Sequence, residues 1–287
     1  MSVQITTSFV NQFSSNVALL SQQRGSILRS TVSEESVTGE KAFFDQVGAS
    51  AAVKRSSRHS DTPLVETPHS RRQVSLDTYE WGDLIDDSDK VRMLIDPTST
   101  YAQAAASAIG RSMDDAIISA ATGTAFTGSS GATSTSLPSG QSIAAGSANL
   151  TIAKLIQAKK ILDLNSVDPS IPRHICVSPD QIESLLGTTQ VTSSDFNTVR
   201  ALTTGEVDTF MGFKFHVSNR LFKSSNDRTC FAWAEAGIKL GVGKDTMARI
   251  DERADKSYST QVFYCATFGA TRMEEDMVVS IVCDESA

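Results

Sequence analysis

The stretch Gly237-Ile-Lys-Leu-Gly241-Val-Gly243-Lys244-Asp245 carries the glycines and lysine of a phosphate cradle, in which backbone N–H groups and an ammonium bind an anion. The spacing fails: Gly237 stands one residue too far from Gly243, and Asp245 takes the place of the Ser or Thr that would hold magnesium. A turn between strands is the better reading. The histidines (His59, His69, His174, His216) share no ligand spacing, and neither a G-x-S-x-G elbow nor an H-E-x-x-H pair occurs. The neighbouring carboxylates Asp114 and Asp115, like Asp86 and Asp87, would diverge by about 100° on a helix, so neither pair converges on one substrate. These four read as solvated or interface charges. Cys176, Cys230, Cys265 and Cys283 lie far apart, which suits reduced, buried apolar residues. The expectation is no catalytic residue, no metal and no cofactor.

A second chemistry is that of charge meeting charge. Residues 54–72 hold Lys54, Arg55, Arg58, Arg71 and Arg72 against Asp61 and Glu66, a composition that cannot bury a core of its own. Between Asp77 and Asp89 there are acids and no base. Three readings stand for the basic residues. A nucleic-acid-binding arm lacks the interleaved aromatics that stack on bases. A solvated loop is the plainest. The third pairs them with an acidic strip that includes Asp83, Asp86 and Asp87, or with the turn at Glu274, Glu275 and Asp276, on a neighbouring subunit. Exposed pairs are worth only ~0.2–1 kcal/mol each, so they would set register.

The elements that must position these groups follow from periodicity. Val10, Phe13, Val17 and Leu20 mark one face of a short helix, and residues 30–39 read as a linker. Lys41 to Val53 is expected as the first strand of a long hairpin with the basic segment at its tip. Val74 and Leu76 begin the return strand, and Tyr79 and Trp81 fall on the opposite parity, which predicts a bulge or twist near Asp77. Pro97 and Gly123 bracket an alanine-rich helix of about 36 Å, carrying Ile109, Met113, Ile117 and Ile118. Residues 127–149 carry no charge and read as a loop or loose hairpin. A second globular stretch brings helices at 152–162, 179–186 and 195–203, a strand at 174–177, and two strands around Gly212. Apolar runs at 261–270 and 277–283 read as buried strands.

With 287 residues and 40% hydrophobic content the chain can form a large core. Its formal charge of -7 argues against a whole-protein affinity for phosphate backbones. No stretch reaches the ~18 apolar residues of a membrane span, and no basic leader opens the chain, so a membrane partner is not expected.

The order of these elements resembles the major capsid proteins of tailed, in particular short-tailed, bacteriophages, the Hong Kong 97-like (HK97-like) fold family. SPDQIESLL at Ser178 to Leu186, DFNTVRAL at Asp195 to Leu202, GEVDTFMGFKFHVSNRL at Gly205 to Leu221 and TPHSRRQVSLDTYEWGDLIDD at Thr67 to Asp87 carry the resemblance. It implies an α+β fold with an N-terminal arm (1–45), an extended-loop hairpin (46–90), a peripheral domain with a spine helix at about 97–122 (91–150), an axial domain (151–245) and return strands (246–287). It further implies hexamers and pentamers tiling an icosahedral shell around packaged double-stranded DNA. A separate scaffolding protein and a portal would serve assembly in the host cytoplasm, and a decoration or cement protein could join the shell. Lys54 is the lone lysine of the basic loop, with no matching Asn and Glu identified, so a non-covalent shell is expected. Gly82 and the acidic strip are candidate hinges between ring types. An encapsulin-like compartment and an α/β enzyme are the competing readings.

Overall fold

A computed structural model describes residues 21–55, 57–59, 61–85, 98–187 and 209–286. The expected helices at 10–20 and 195–203, the start at Pro97, and Asp86 and Asp87 lie outside them.

Along the chain the strands are β1 (Ser33–Ser36), β2 (Lys41–Val47), β3 (His69–Ser75), β4 (Asp77–Ile85), β5 (Ala125–Thr127), β6 (Thr133–Thr135), β7 (Ser142–Ile143), β8 (Arg173–Val177), β9 (Thr209–Phe210), β10 (Phe213–Val217), β11 (Lys223–Ser224), β12 (Asp227–Ala234), β13 (Ile238–Arg253), β14 (Ser259–Arg272) and β15 (Val278–Asp284). The helices are α1 (Thr98–Thr122), α2 (Ile152–Leu164) and α3 (Pro179–Leu186). They divide into two compact units. One comprises 27–77, 113–243 and 268–287, and the other the described residues within 1–26, 78–112 and 244–267.

The larger unit is built on a seven-stranded sheet of order β7-β15-β12-β8-β10-β9, with β11 beside β12. Its central strand β8 (RHICV) is buried at every position, as a strand covered on both faces must be. Phe213, Phe231, Trp233, Ile175, Leu155 and Leu162 are buried around it, each contributing about 1.5–3 kcal/mol for an apolar side chain withdrawn from water. Met211 and Gly212 turn β9 into β10 with φ of 54° and 87°, the left-handed pair that a two-residue hairpin requires. The helices carry their own start signals. Thr151 caps α2 by accepting from Lys154 N, and Ser178 and Gln181 form a capping box with Pro179 at the first turn of α3.

A second sheet of this unit, β2-β3-β5-β6, contains the expected hairpin. β2 pairs antiparallel with β3, Phe44 opposite Arg72 and Val47 opposite His69. The first strand ends at Val47, six residues short of the expected Val53, because Gly48 and the Ala-rich stretch after it offer no alternation to pair. The uncharged 127–149 region supplies a short β5–β6 hairpin. Under β2 and β3 lies a small core of Val37, Phe44, Val74 and Leu76.

Two expectations change here. The predicted single return strand is two strands, β3 and β4, that belong to different sheets and break at Leu76. The parity shift near Asp77 is that change of sheet, and Gly82 sits inside β4. Gly237 to Asp245 is no turn between strands: β13 runs from Ile238 through Arg253. A side chain at Gly241 would press on Val37, Val74 and Leu76 from 3.1 Å, so this glycine serves close packing.

In the other unit Gly110 of α1 lets the chain at Gly25 cross closely, since a Cβ there would stand 2.4 Å from the Gly25 carbonyl carbon. Arg111 fixes the same segment by donating to Gln22 Oε1 (2.8 Å) and Gln23 O (3.1 Å). The β13–β14 hairpin turns through Ser257 and Tyr258, both with positive φ. Thr78 and Thr267 hydroxyls meet at 3.0 Å, tying β4 to β14.

Candidate subunit interface

The hairpin β2–β3 is anchored at its base by buried charge. Arg72, 6% exposed, pairs with Glu275 and donates through Nε to Met273 O at 2.9 Å. Gln46 donates to the same carbonyl. Beside them Arg272, fully buried, donates to Ala121 O (3.1 Å), Gly123 O (2.7 Å) and Thr135 O (3.1 Å), and reaches Glu275 at 3.4 Å. The last carbonyls of α1 lack helical partners and carry the negative end of its dipole, which a guanidinium satisfies on both counts. Burial lowers the Arg272 pKa and Glu275 opposes that shift. Burial raises the Glu274 carboxyl, helped by Asp276 and Glu275, with Arg72 pulling the other way.

The expected site residues therefore separate. Arg72 and Glu275 come together inside one chain, which corrects the expectation that Arg72 finds its acid on a neighbour: the register of β3 turns it inward while Arg71 points out. Arg71 pairs with Asp45 across the hairpin at 2.5 Å, and both remain exposed. Lys54, Arg55 and Arg58 are exposed at the tip, where Arg55 Nε donates to Ser57 O at 2.7 Å. Asp83 is exposed on β4 and Glu274 is exposed beside the anchor. Asp86 and Asp87 lie outside the described residues. The tip also exposes apolar surface, Val53 at 60% and Leu64 at 98%, which the charge pattern did not signal.

One of the carboxylates read as solvated or interface charges is interior. Asp114 is fully buried and accepts from Ile27 N and Leu28 N, each at 3.1 Å, holding the incoming segment against α1. Asp115 pairs with Arg220. His174 and His216 meet at 3.0 Å, and the His174 ring stacks on Trp233 at 5.5 Å. The structure also brings Glu285 to Arg228 and Lys223 near the C-terminus. Among the described residues no three His, Cys, Asp or Glu side chains gather as a metal site, and no helix is long and apolar enough to cross a membrane. All four cysteines are buried free thiols.

A long helix, an anchored hairpin and a sheet closed by the C-terminal strand define a capsid shell subunit of the α+β HK97-like class. Three solved structures share that fold over nearly their full lengths. The capsid of cyanophage P-SCSP1u is 18% identical, with a TM-score of 0.76 over 97% of this chain and 94% of that one. The capsid of Helicobacter pylori bacteriophage KHP30 is 9% identical, with a TM-score of 0.75 over 99% and 98%. The capsid of Ralstonia phage GP4 is 11% identical, with a TM-score of 0.75 over 96% and 95%. Among curated proteins none matches. The family model described as phage capsid protein matches residues 5–285, and the chain belongs to that family. It is a major capsid protein, a structural protein of the virion's shell that assembles with copies of itself; the encapsulin-like alternative is not favoured.

Proposed function

We propose that the chain forms hexamers and pentamers that tile an icosahedral shell around packaged double-stranded DNA, with the β2–β3 hairpin lying on an adjacent subunit. The observation that carries this reading is the hairpin itself. Its base is fixed by Arg72, Gln46 and Met273, while its tip presents Val53, Leu64, Lys54 and Arg58 to solvent. A rigid base under an exposed apolar and basic tip suits a contact made outside the chain. That reading divides the chain into an arm (1–45), an extended loop (46–90), a peripheral domain with its spine helix (91–150), an axial domain (151–245) and return strands (246–287). Lys54, Arg55, Arg58 and Arg71 together with Asp83, Asp86, Asp87 and Glu274 lie at subunit contacts, and Arg72 and Glu275 hold the loop in the orientation those contacts need. The role is structural, without catalysis. A separate scaffolding protein and a portal serve assembly, the packaged DNA touches the shell without sequence preference, and a decoration protein can add to it.

Deleting Ser56 to His69 should leave both units folded by circular dichroism and abolish closed particles in negative-stain micrographs. Intact particles from this variant would remove the hairpin from the assembly contacts.

A further inference from the structure

At the first residue of β8 the larger unit carries a hollow of about 610 Å³ lined by Lys159, Arg173 and Lys214 with one acid, Asp163. Arg173 is 7% exposed. It pairs with Asp163 at 2.7 Å and donates through Nη2 to Val167 O at 3.1 Å, but its buried Nε has no hydrogen-bond partner. A buried donor left unmatched costs about 1–3 kcal/mol. Lys159 and Lys214 are exposed, and neither forms an ion pair with a described residue. Three bases against one acid leave two positive charges in excess.

The opposite end of the same strand has the opposite character. β8 ends at Val177, about 13 Å away at strand rise, and leads directly into α3. There Asp180 and Glu183, three apart and so on one face, are exposed without an ion pair to a described residue. Both patches are flanked by apolar side chains. Ile156 and Leu164, 51% and 70% exposed, adjoin Lys159 on α2, and Ile182 and Leu186 are half-buried beside the acids. Apolar flanks suit a protein surface better than a phosphate backbone, and among the described residues no aromatic side chain lines the hollow to stack on a base. Complementary patches at opposite ends of one unit cannot meet within a chain. They can meet between copies arranged head to tail, and a head-to-tail contact is the kind that closes into a ring.

We infer that the hollow formed by Lys159, Arg173 and Lys214 receives Asp180 and Glu183 of the next copy, joining copies of this chain head to tail within each ring. The inference rests on the shell reading and adds to it a specific contact.

The test uses the full chain with exposed residues only. Lys159→Glu with Lys214→Glu, and separately Asp180→Lys with Glu183→Lys, should each keep the wild-type thermal unfolding curve and lower the yield of rings and particles by at least about tenfold, as like charges brought together do. All four changes combined should restore assembly. Normal particles from either pair alone, or no recovery from the combination although both pairs fold, would overturn the contact. The first of those results together with loss of inorganic phosphate binding would assign the hollow to phosphate groups instead. Lys214→Cys with Glu183→Cys should give a disulfide-linked ladder under mild oxidation of assembled particles, since the native thiols are buried. Particles that assemble without a ladder would sink this contact alone, whereas a wild-type chain that forms no particles under any condition would sink the shell reading and this contact with it.

Discussion

Arg272 satisfies three backbone carbonyls from a position with no exposed surface. Replacing it with Met keeps the volume and strands those carbonyls, leaving Glu275 with Arg72 alone. Removing one member of a buried charged cluster typically costs about 3–5 kcal/mol, which denaturant unfolding of Arg272→Met should show. Two other residues contribute to how stability varies with pH. Burial first, then His216 and Lys214, lower the His174 pKa from 6.5 to about 4. Between those values the unfolded chain holds the extra proton, so His174 contributes fully above 6.5 and its contribution is lost as pH falls toward 4. Hydrogen bonding from Arg228 is the largest cause lowering Glu285 from 4.5 to about 2, so its contribution is present above 4.5 and disappears as pH falls toward 2. Unfolding midpoints should therefore drop in two successive acid steps, and His174→Gln should remove the upper one while leaving the lower. An upper step retained unchanged in His174→Gln would refute this assignment.

At the level of elements, the packing of β14 against β3 depends on Gly269, where a Cβ would stand 2.0 Å from Ser75 O. That neighbour is backbone and cannot swing aside, so Gly269→Ala should destabilise by roughly 1–3 kcal/mol or more through forced separation of the strands, read by thermal unfolding. The existence of both elements was legible in the sequence, since the apolar run at 261–270 falls within β14 and that at 277–283 falls almost entirely within β15. Their partners were not: β14 lies in the sheet with β13 and β4, whereas β15 lies beside β12. Alternation reports which face of a strand is apolar and says nothing of which sheet receives it. The alanine-rich helix was legible because propensity and its flanking Pro and Gly act locally. The anchor around Arg272 was not, because its acceptors lie about 140 to 150 residues upstream at Ala121, Gly123 and Thr135. The same limit hid the meeting of His174 with His216, which a 42-residue separation keeps out of any spacing rule. The exposed tip bases of the candidate interface were found from composition. Arg72 was found with them and misplaced, because one residue of register decides whether an arginine in a strand faces solvent or core.

For the whole molecule, copies carrying a net charge of -7 repel one another, and assembly must draw on contacts that overcome this. The hairpin tip offers two kinds. Its exposed bases can form ion pairs worth ~0.2–1 kcal/mol each, weakened by salt. Its apolar side chains, led by Leu64 at 98% exposure with Val65 at 45%, can each gain about 1.5–3 kcal/mol if fully buried on a neighbour, with little dependence on salt. The magnitudes favour the apolar contact as the source of affinity and the bases as the source of register. Leu64→Ser with Val65→Ser should accordingly reduce particle yield at low and high salt alike, measured by sedimentation. Lys54→Ala with Arg55→Ala and Arg58→Ala should lower yield modestly at low salt and make no difference at high salt, where the wild-type pairs are already screened. Should the basic triple prove the more damaging and the apolar pair nearly silent, the tip would be an electrostatic clasp, and the repulsion between acidic copies would have to be offset elsewhere in the shell.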